Sequence, residues 1–236
     1  MFSYLCRFIP QKLNNRILLA VLELFRTFGR LFGNRKLKKG RLKQAPFFDL
    51  YAERELTICS HLGKTDADTS FIEDQHSYSD VSYGVTTMAY AGCEIFALYN
   101  AMKRLCPHMP ISLPQMITDF EEDGILWSGR FGTSPIALSD YLQKHGFQTR
   151  LCTKDLPMHS LLDEYDVFIL TMYNNAFDLR DEIHTVCVTH EPDGFIAHNV
   201  YCNGSCIGPF PSFDELIGSF HEGRSKAISL IGISKN

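Results

Sequence analysis

The sequence predicts an α+β fold, because its hydrophobic period changes partway along the chain. Three segments between residues 93 and 146 carry helical spacing, whereas the C-terminal part alternates with the period of strands. Between two of those strands, EPDG (191–194) is turn chemistry that closes an antiparallel pair. Helices first and antiparallel strands second are the pattern of an α+β domain rather than of alternating βαβ units.

The first predicted helix runs from Cys93 to about Leu105 and ends before Pro107. The second covers 113–123 and stops at Gly124. The third has Ser134 as its cap, Pro135 at its first position and Gly146 beyond its end. Predicted strands are Phe147–Cys152, Asp166–Met172, His184–His190, Gly194–Tyr201 and Lys226–Ile233. Residues 56–90 are polar and turn-rich, with few firm elements. Upstream, residues 13–33 repeat Ile17, Val21, Leu24, Phe28 and Leu31 at steps of three and four. Leu18, Leu22, Phe25 and Phe32 widen that stripe. The cationic run NRKLKKGRLK (34–43) follows as a linker, which divides the chain into a basic amphipathic extension (1–47) and a domain (48–236).

Charge sharpens this division. The 236 residues carry a net charge of −4, yet residues 1–48 hold 11 Lys or Arg against the single acid Glu23, giving +10. The remainder holds 12 basic and 26 acidic side chains, giving −14. An acidic domain lacks the clustered cations that neutralise phosphates, so nucleic acid is excluded as its main partner. The eight cysteines show no dense framework, and a chain of this length needs none, which points to a reducing, cytoplasmic setting. The apolar stretch Ile17–Phe25 is interrupted by Glu23 and has no small-residue cleavage site after it. It is a poor export signal and too short for a membrane span. The basic helix 13–33 has two readings from its residues: an anchor at a membrane surface, or a packing element against the domain or a partner protein.

The chemistry centres on Cys93. A thiol at a helix start faces unpaired N–H groups and the positive end of the helix dipole, both of which favour the thiolate. Gly92 before it allows close backbone approach to a substrate. His184 opens one predicted strand and Asn199 lies near the end of the next, roughly opposite across the hairpin. A thiol, an imidazole and an amide in this order suit an activated nucleophile. Competing readings remain at each position. Cys93 suits a buried core site, His190 and His198 rival His184, and Asn203 rivals Asn199. His198, Cys202 and Cys206 suggest a metal site on paper, but no CxxC partner accompanies them, and neither metal nor cofactor is expected. A phosphate loop is disfavoured, since no Lys-Ser/Thr follows the glycines at 124, 129 and 132.

With AGCEIFALYNAM around Cys93, FGTSP at 131–135, IHTVCV around His184 and FIAHNVY around Asn199, the sequence resembles the papain-like cysteine peptidases. Within them it is most similar to the bacterial peptidases that cut bacteriocin leaders at double-glycine sites and to their stand-alone relatives. The matching pieces span about residues 84–205. The resemblance implies a papain-like fold, with the Cys-bearing helix packed on an antiparallel sheet that carries His and Asn. It also implies hydrolysis of a peptide or protein substrate by a Cys93–His184–Asn199 triad. Gly132 and Thr133 would contact substrate. The resemblance also permits a third reading of helix 13–33, a removable or inhibitory pro-segment. The family places a Gln about six residues before the Cys as an oxyanion donor; here Thr87 stands there, with Tyr90 closer, and the Cys93 N–H as the second donor. Loss of one donor costs about 10²–10³ in rate. A leader-binding module without cleavage, or an acyltransferase using the same triad, are the alternatives.

Overall fold

The computed structural model describes residues 15–33, 54–58, 60–61, 71–153, 155–176, 178, 183–202 and 204–235. The proposed boundary near residue 47, and Asn203, lie outside them. The helices are α1 (Asn15–Phe28), α2 (Met88–Ala91), α3 (Cys93–Leu105), α4 (Leu113–Glu122), α5 (Pro135–Lys144), α6 (Asp155–Leu162) and α7 (Phe213–Ser219). The strands are β1 (Ser82–Tyr83), β2 (Thr86–Thr87), β3 (Phe147–Cys152), β4 (Val167–Tyr173), β5 (Ile183–Glu191), β6 (Gly194–Cys202), β7 (Ser205–Phe210) and β8 (Lys226–Lys235). The fold is α+β, as expected. β3 to β8 form one antiparallel sheet in the order β3-β8-β4-β5-β6-β7. β1 and β2 form a separate two-residue ladder.

Local chemistry explains the helices. Ser112 and Ser134 cap α4 and α5, with Ser134 accepting from the N–H groups of Ile136 and Ala137. Pro sits in the first turn of both, where a missing N–H removes nothing. After α5 the chain turns through Gly146, whose φ of 84° would strain other residues.

The sheet separates two cores. On one face, Ile95, Phe96 and Leu98 of α3 pack with Ile117, Phe120, Leu138, Ile169, Cys187 and Ile231. On the other, Phe168, Leu170, Val186, Val188 and Leu230 meet Leu161 of α6 and Leu216 of α7. Neither α6 nor α7 is foreseen from hydrophobic period. Under the β1–β2 ladder, Arg54 makes a buried two-pronged pair with Glu121 at 2.9 and 3.0 Å. Glu121 also accepts from the Gly84 N–H. Truncating either partner strands a buried charge, at a cost of about 3–5 kcal/mol.

α1 lies against the domain with the repeating residues Ile17, Val21, Leu24, Phe28 and Leu31 exposed and Leu19 and Arg26 buried. The helix is apolar on more than one side, and its docking uses the other side.

Candidate active site

Cys93 is the first residue of α3 and lines a cavity of about 90 Å³. Tyr90, Glu94, Gly132, Thr133, Thr171 and Ile183 share that wall, as does Leu22 of α1. Gly132 and Thr133 thus line the same cavity as the thiol. Their local role is visible: a Cβ on Gly132 would sit 2.8 Å from a Glu94 carboxylate oxygen. Thr133 is held by the buried hydroxyl of Tyr83 at 2.6 Å, and its main chain hydrogen-bonds Glu94. The glycine makes room for the carboxylate.

The thiol donates to Glu94 Oε2 at 3.3 Å, and the Thr185 main chain hydrogen-bonds the sulfur. Burial pushes the Cys93 thiol well above its ordinary range, and the Glu94 charge pushes it the same way. The helix dipole does not overcome this; the expectation of a thiolate favoured by the helix start is corrected by desolvation. Burial also raises the Glu94 carboxyl to about 7. Glu94 is a candidate site residue that sequence reading missed. An acid in a first helical turn reads as an ordinary partner of the dipole, although its adjacency to Cys93 was a signal.

Neither His184 nor Asn199 lines the cavity that Cys93 lines. Side chains alternate along β5: Thr185 and Cys187 face α3, while Val186 and Val188 face α6 and α7. Thr185 pairs with Thr171 of the cleft at 3.1 Å, and Ile183 lines the cleft. His184 therefore falls on the opposite face of the sheet from Cys93. Its Nε2 lies 2.7 Å from the main-chain oxygen of Asn199. The paired β5–β6 register runs from Glu191 with Gly194 to Cys187 with His198 and stops short of Asn199. Asn199 has φ 64°, a left-handed conformation that Asn tolerates better than most side chains. Its amide is engaged by Gln75: Nδ2 donates to Gln75 Oε1 at 2.9 Å, and the Gln75 N–H donates to Oδ1 at 3.1 Å. Gln75 is the second residue missed.

Burial lowers the His184 imidazole to about 4. The unfolded chain, with an ordinary histidine, takes up that proton first as pH falls. Stability from this group is thus complete above about pH 6.5 and is lost between there and pH 4, about 3 kcal/mol in all. Urea midpoints over this range should fall less steeply in His184→Gln than in wild type; equal slopes would remove His184 as the cause.

The remaining expectations divide. At Gly92 a Cβ would meet the Met88 carbonyl at 2.5 Å, so the junction between α2 and α3 itself requires a glycine. Thr87 ends β2 and precedes α2, whereas Tyr90 lines the cleft. His190 stacks on Phe195 near the β5–β6 turn. Among the described residues, Glu73, His198 and Cys206 place potential metal ligands within 4.8 Å of one another. The 2.6 Å contact of His198 Nδ1 with Glu73 Oε1 is an imidazole–carboxylate hydrogen bond, which a shared ion would have to open. Cys93, Cys106, Cys152, Cys187 and Cys206 are free thiols.

No family model matches the sequence, and neither does any curated protein. Among solved structures, the chain is similar to the peptidase domain of Streptococcus ComA, a bifunctional ABC transporter of a quorum-sensing pathway. Identity is 14%, over 61% of this chain and 91% of that one, with a TM-score of 0.42. No helix among the described residues is long and apolar enough to cross a membrane.

Proposed function

We propose that this is a peptidase-type domain that hydrolyses a peptide bond through Cys93, in the cleft beneath α1. The observation that carries the reading is the thiol at the start of α3, on the wall of a cavity and hydrogen-bonded to a carboxyl that titrates near neutrality. Glu94 accepts the thiol proton as sulfur attacks the peptide carbonyl. The bond to the leaving amine then breaks, and the amine takes that proton. Water hydrolyses the resulting thioester and restores the thiol. His184 and Asn199, base and orienting group on the family resemblance, instead secure the adjoining ends of β5 and β6 in this reading.

A second reading is favoured by the protonated, buried state of Cys93 and by the seating of α1 over it. Here the cleft holds a peptide without cutting it. Hydrolysis of a fluorogenic peptide pool and alkylation of the Cys93 peptide, followed by mass spectrometry, separate the two. On the hydrolytic reading turnover is present, is lost in Cys93→Ala, and survives in His184→Gln with Cys93 alkylation unchanged. Turnover equal in wild type and Cys93→Ala overturns the mechanism, and loss of rapid alkylation in His184→Gln returns the base to the histidine. Peptide binding with no Cys93-dependent turnover establishes the binding module.

A further inference from the structure

We infer that the outward face of α1 is a docking surface for an anionic lipid interface. Nine large apolar side chains are exposed among the described residues, and five of them are Ile17, Val21, Leu24, Phe28 and Leu31. They recur at steps of four and three, which draws one continuous stripe down the helix and the π-helical turn Gly29–Gly33 that follows it. The stripe is not a core face displaced by packing, because α1 already has a docked side. Leu19 and Arg26 are buried, Leu22 lines the Cys93 cleft, and Phe25 packs on Phe131 and Trp127. Half-exposed Trp127 extends the apolar rim beside it.

Charge selects the occupant. The segment 1–48 carries +10, and NRKLKKGRLK directly after the helix places six Lys or Arg in ten residues without an acid. An apolar stripe a few turns long, set in a cationic segment, is the pattern of a helix lying in a lipid headgroup layer. Cations beside such a surface are attracted when the headgroups are anionic. A second copy of this chain would pair two segments of the same +10 charge, which disfavours it. The −14 carried by the remainder disfavours the same lipid surface, so the α1 side is the one that suits it. The helix then contacts lipid on one face and the domain on the other. This inference does not depend on whether Cys93 is catalytic.

The test is sedimentation of the full chain with vesicles of phosphatidylcholine alone, or of phosphatidylcholine and phosphatidylglycerol in equal parts. Binding is expected to the mixed vesicles and to weaken with added salt. Leu24→Asp with Leu31→Asp should lower the affinity by about tenfold or more, since two stripe residues lose their apolar contact. Leu56→Asp, which changes an exposed leucine outside the helix, should leave it unchanged. All of these positions are exposed, and an unaltered near-ultraviolet circular dichroism spectrum verifies the fold. No binding to mixed vesicles, or binding indifferent to the stripe substitutions, overturns the inference. A concentration-dependent dimer that the same substitutions dissolve, in a chain that ignores vesicles, overturns it in favour of a second copy.

Discussion

Replacing Arg26 by Glu should raise the rate of Cys93 alkylation by iodoacetamide roughly 30- to 100-fold. α1 sits beside the thiol's cleft: Leu22 lines it and Phe25 stacks on Phe131, next to Gly132. Glu23 accepts from the Ser134 hydroxyl, which also caps α5. Arg26 is the polar centre of this seat. Its guanidinium is buried and bonds Asp123 at 3.0 Å, Asp140 at 2.9 Å and Glu23 at 3.2 Å. A glutamate there would gather four carboxylates around one point. Removing one partner of a buried pair costs about 3–5 kcal/mol. Asp123 and Asp140 are about half exposed, so screening reduces this to about 2–3 kcal/mol. At about 1.4 kcal/mol per decade, the population with α1 released rises by the stated factor. High salt should move the wild-type rate in the same direction, by less. Alkylation that does not change in Arg26→Glu would mean that α1 does not gate the thiol. If the cleft is hydrolytic, peptide turnover should rise with alkylation in Arg26→Glu and disappear when Cys93→Ala is added.

The gating helix illustrates what the sequence could and could not disclose. Its existence follows from period, but its docked side does not, because Leu19, Leu22 and Phe25 on one side compete with Ile17, Val21 and Leu24 on the other. The same ambiguity hides the site geometry. β5 reads Ile-His-Thr-Val-Cys-Val-Thr-His-Glu and is buried over most of its length, so no polar–apolar alternation marks which face His184 takes. By contrast α3 and α4 were legible from their helical spacing and terminators, α5 from its Ser134 cap as well, and the β5–β6 hairpin from EPDG. α7 had a readable signal that hydrophobic period misses: Ser212 caps it and Glu215 follows three residues later, as in a capping box. α6 had none, since it is short, carries Pro157 and lacks a strong apolar stripe. Gln75 was hidden by distance, its partner Asn199 lying 124 residues along the chain.

Glu94→Gln should separate the two consequences of the carboxyl beside Cys93, because it moves alkylation and hydrolysis in opposite directions. The Glu94 charge helps to hold the thiol protonated. A neutral amide of the same shape removes that repulsion, so the thiolate fraction grows and alkylation at pH 8 should rise about tenfold. Hydrolysis needs somewhere for the thiol proton to go during attack, and Gln accepts none. Turnover should therefore fall by about 10²–10⁴. If alkylation and turnover rise together, Glu94 only restrains the thiol and the proton goes elsewhere. Stability supplies a third readout with a fixed sign. The folded carboxyl titrates at about 7 against 4.5 for its ordinary value, so the folded chain binds the extra proton between those values. The stability that Glu94 contributes is complete below pH 4.5 and is lost as pH rises through 7. Relative to wild type, Glu94→Gln should gain about 2–3 kcal/mol between pH 4 and pH 8 in urea unfolding. That slope opposes the loss assigned to His184 over the lower part of the range. The two substitutions together should flatten what each alone tilts, since the groups sit on opposite faces of the sheet and share no partner in the contacts described.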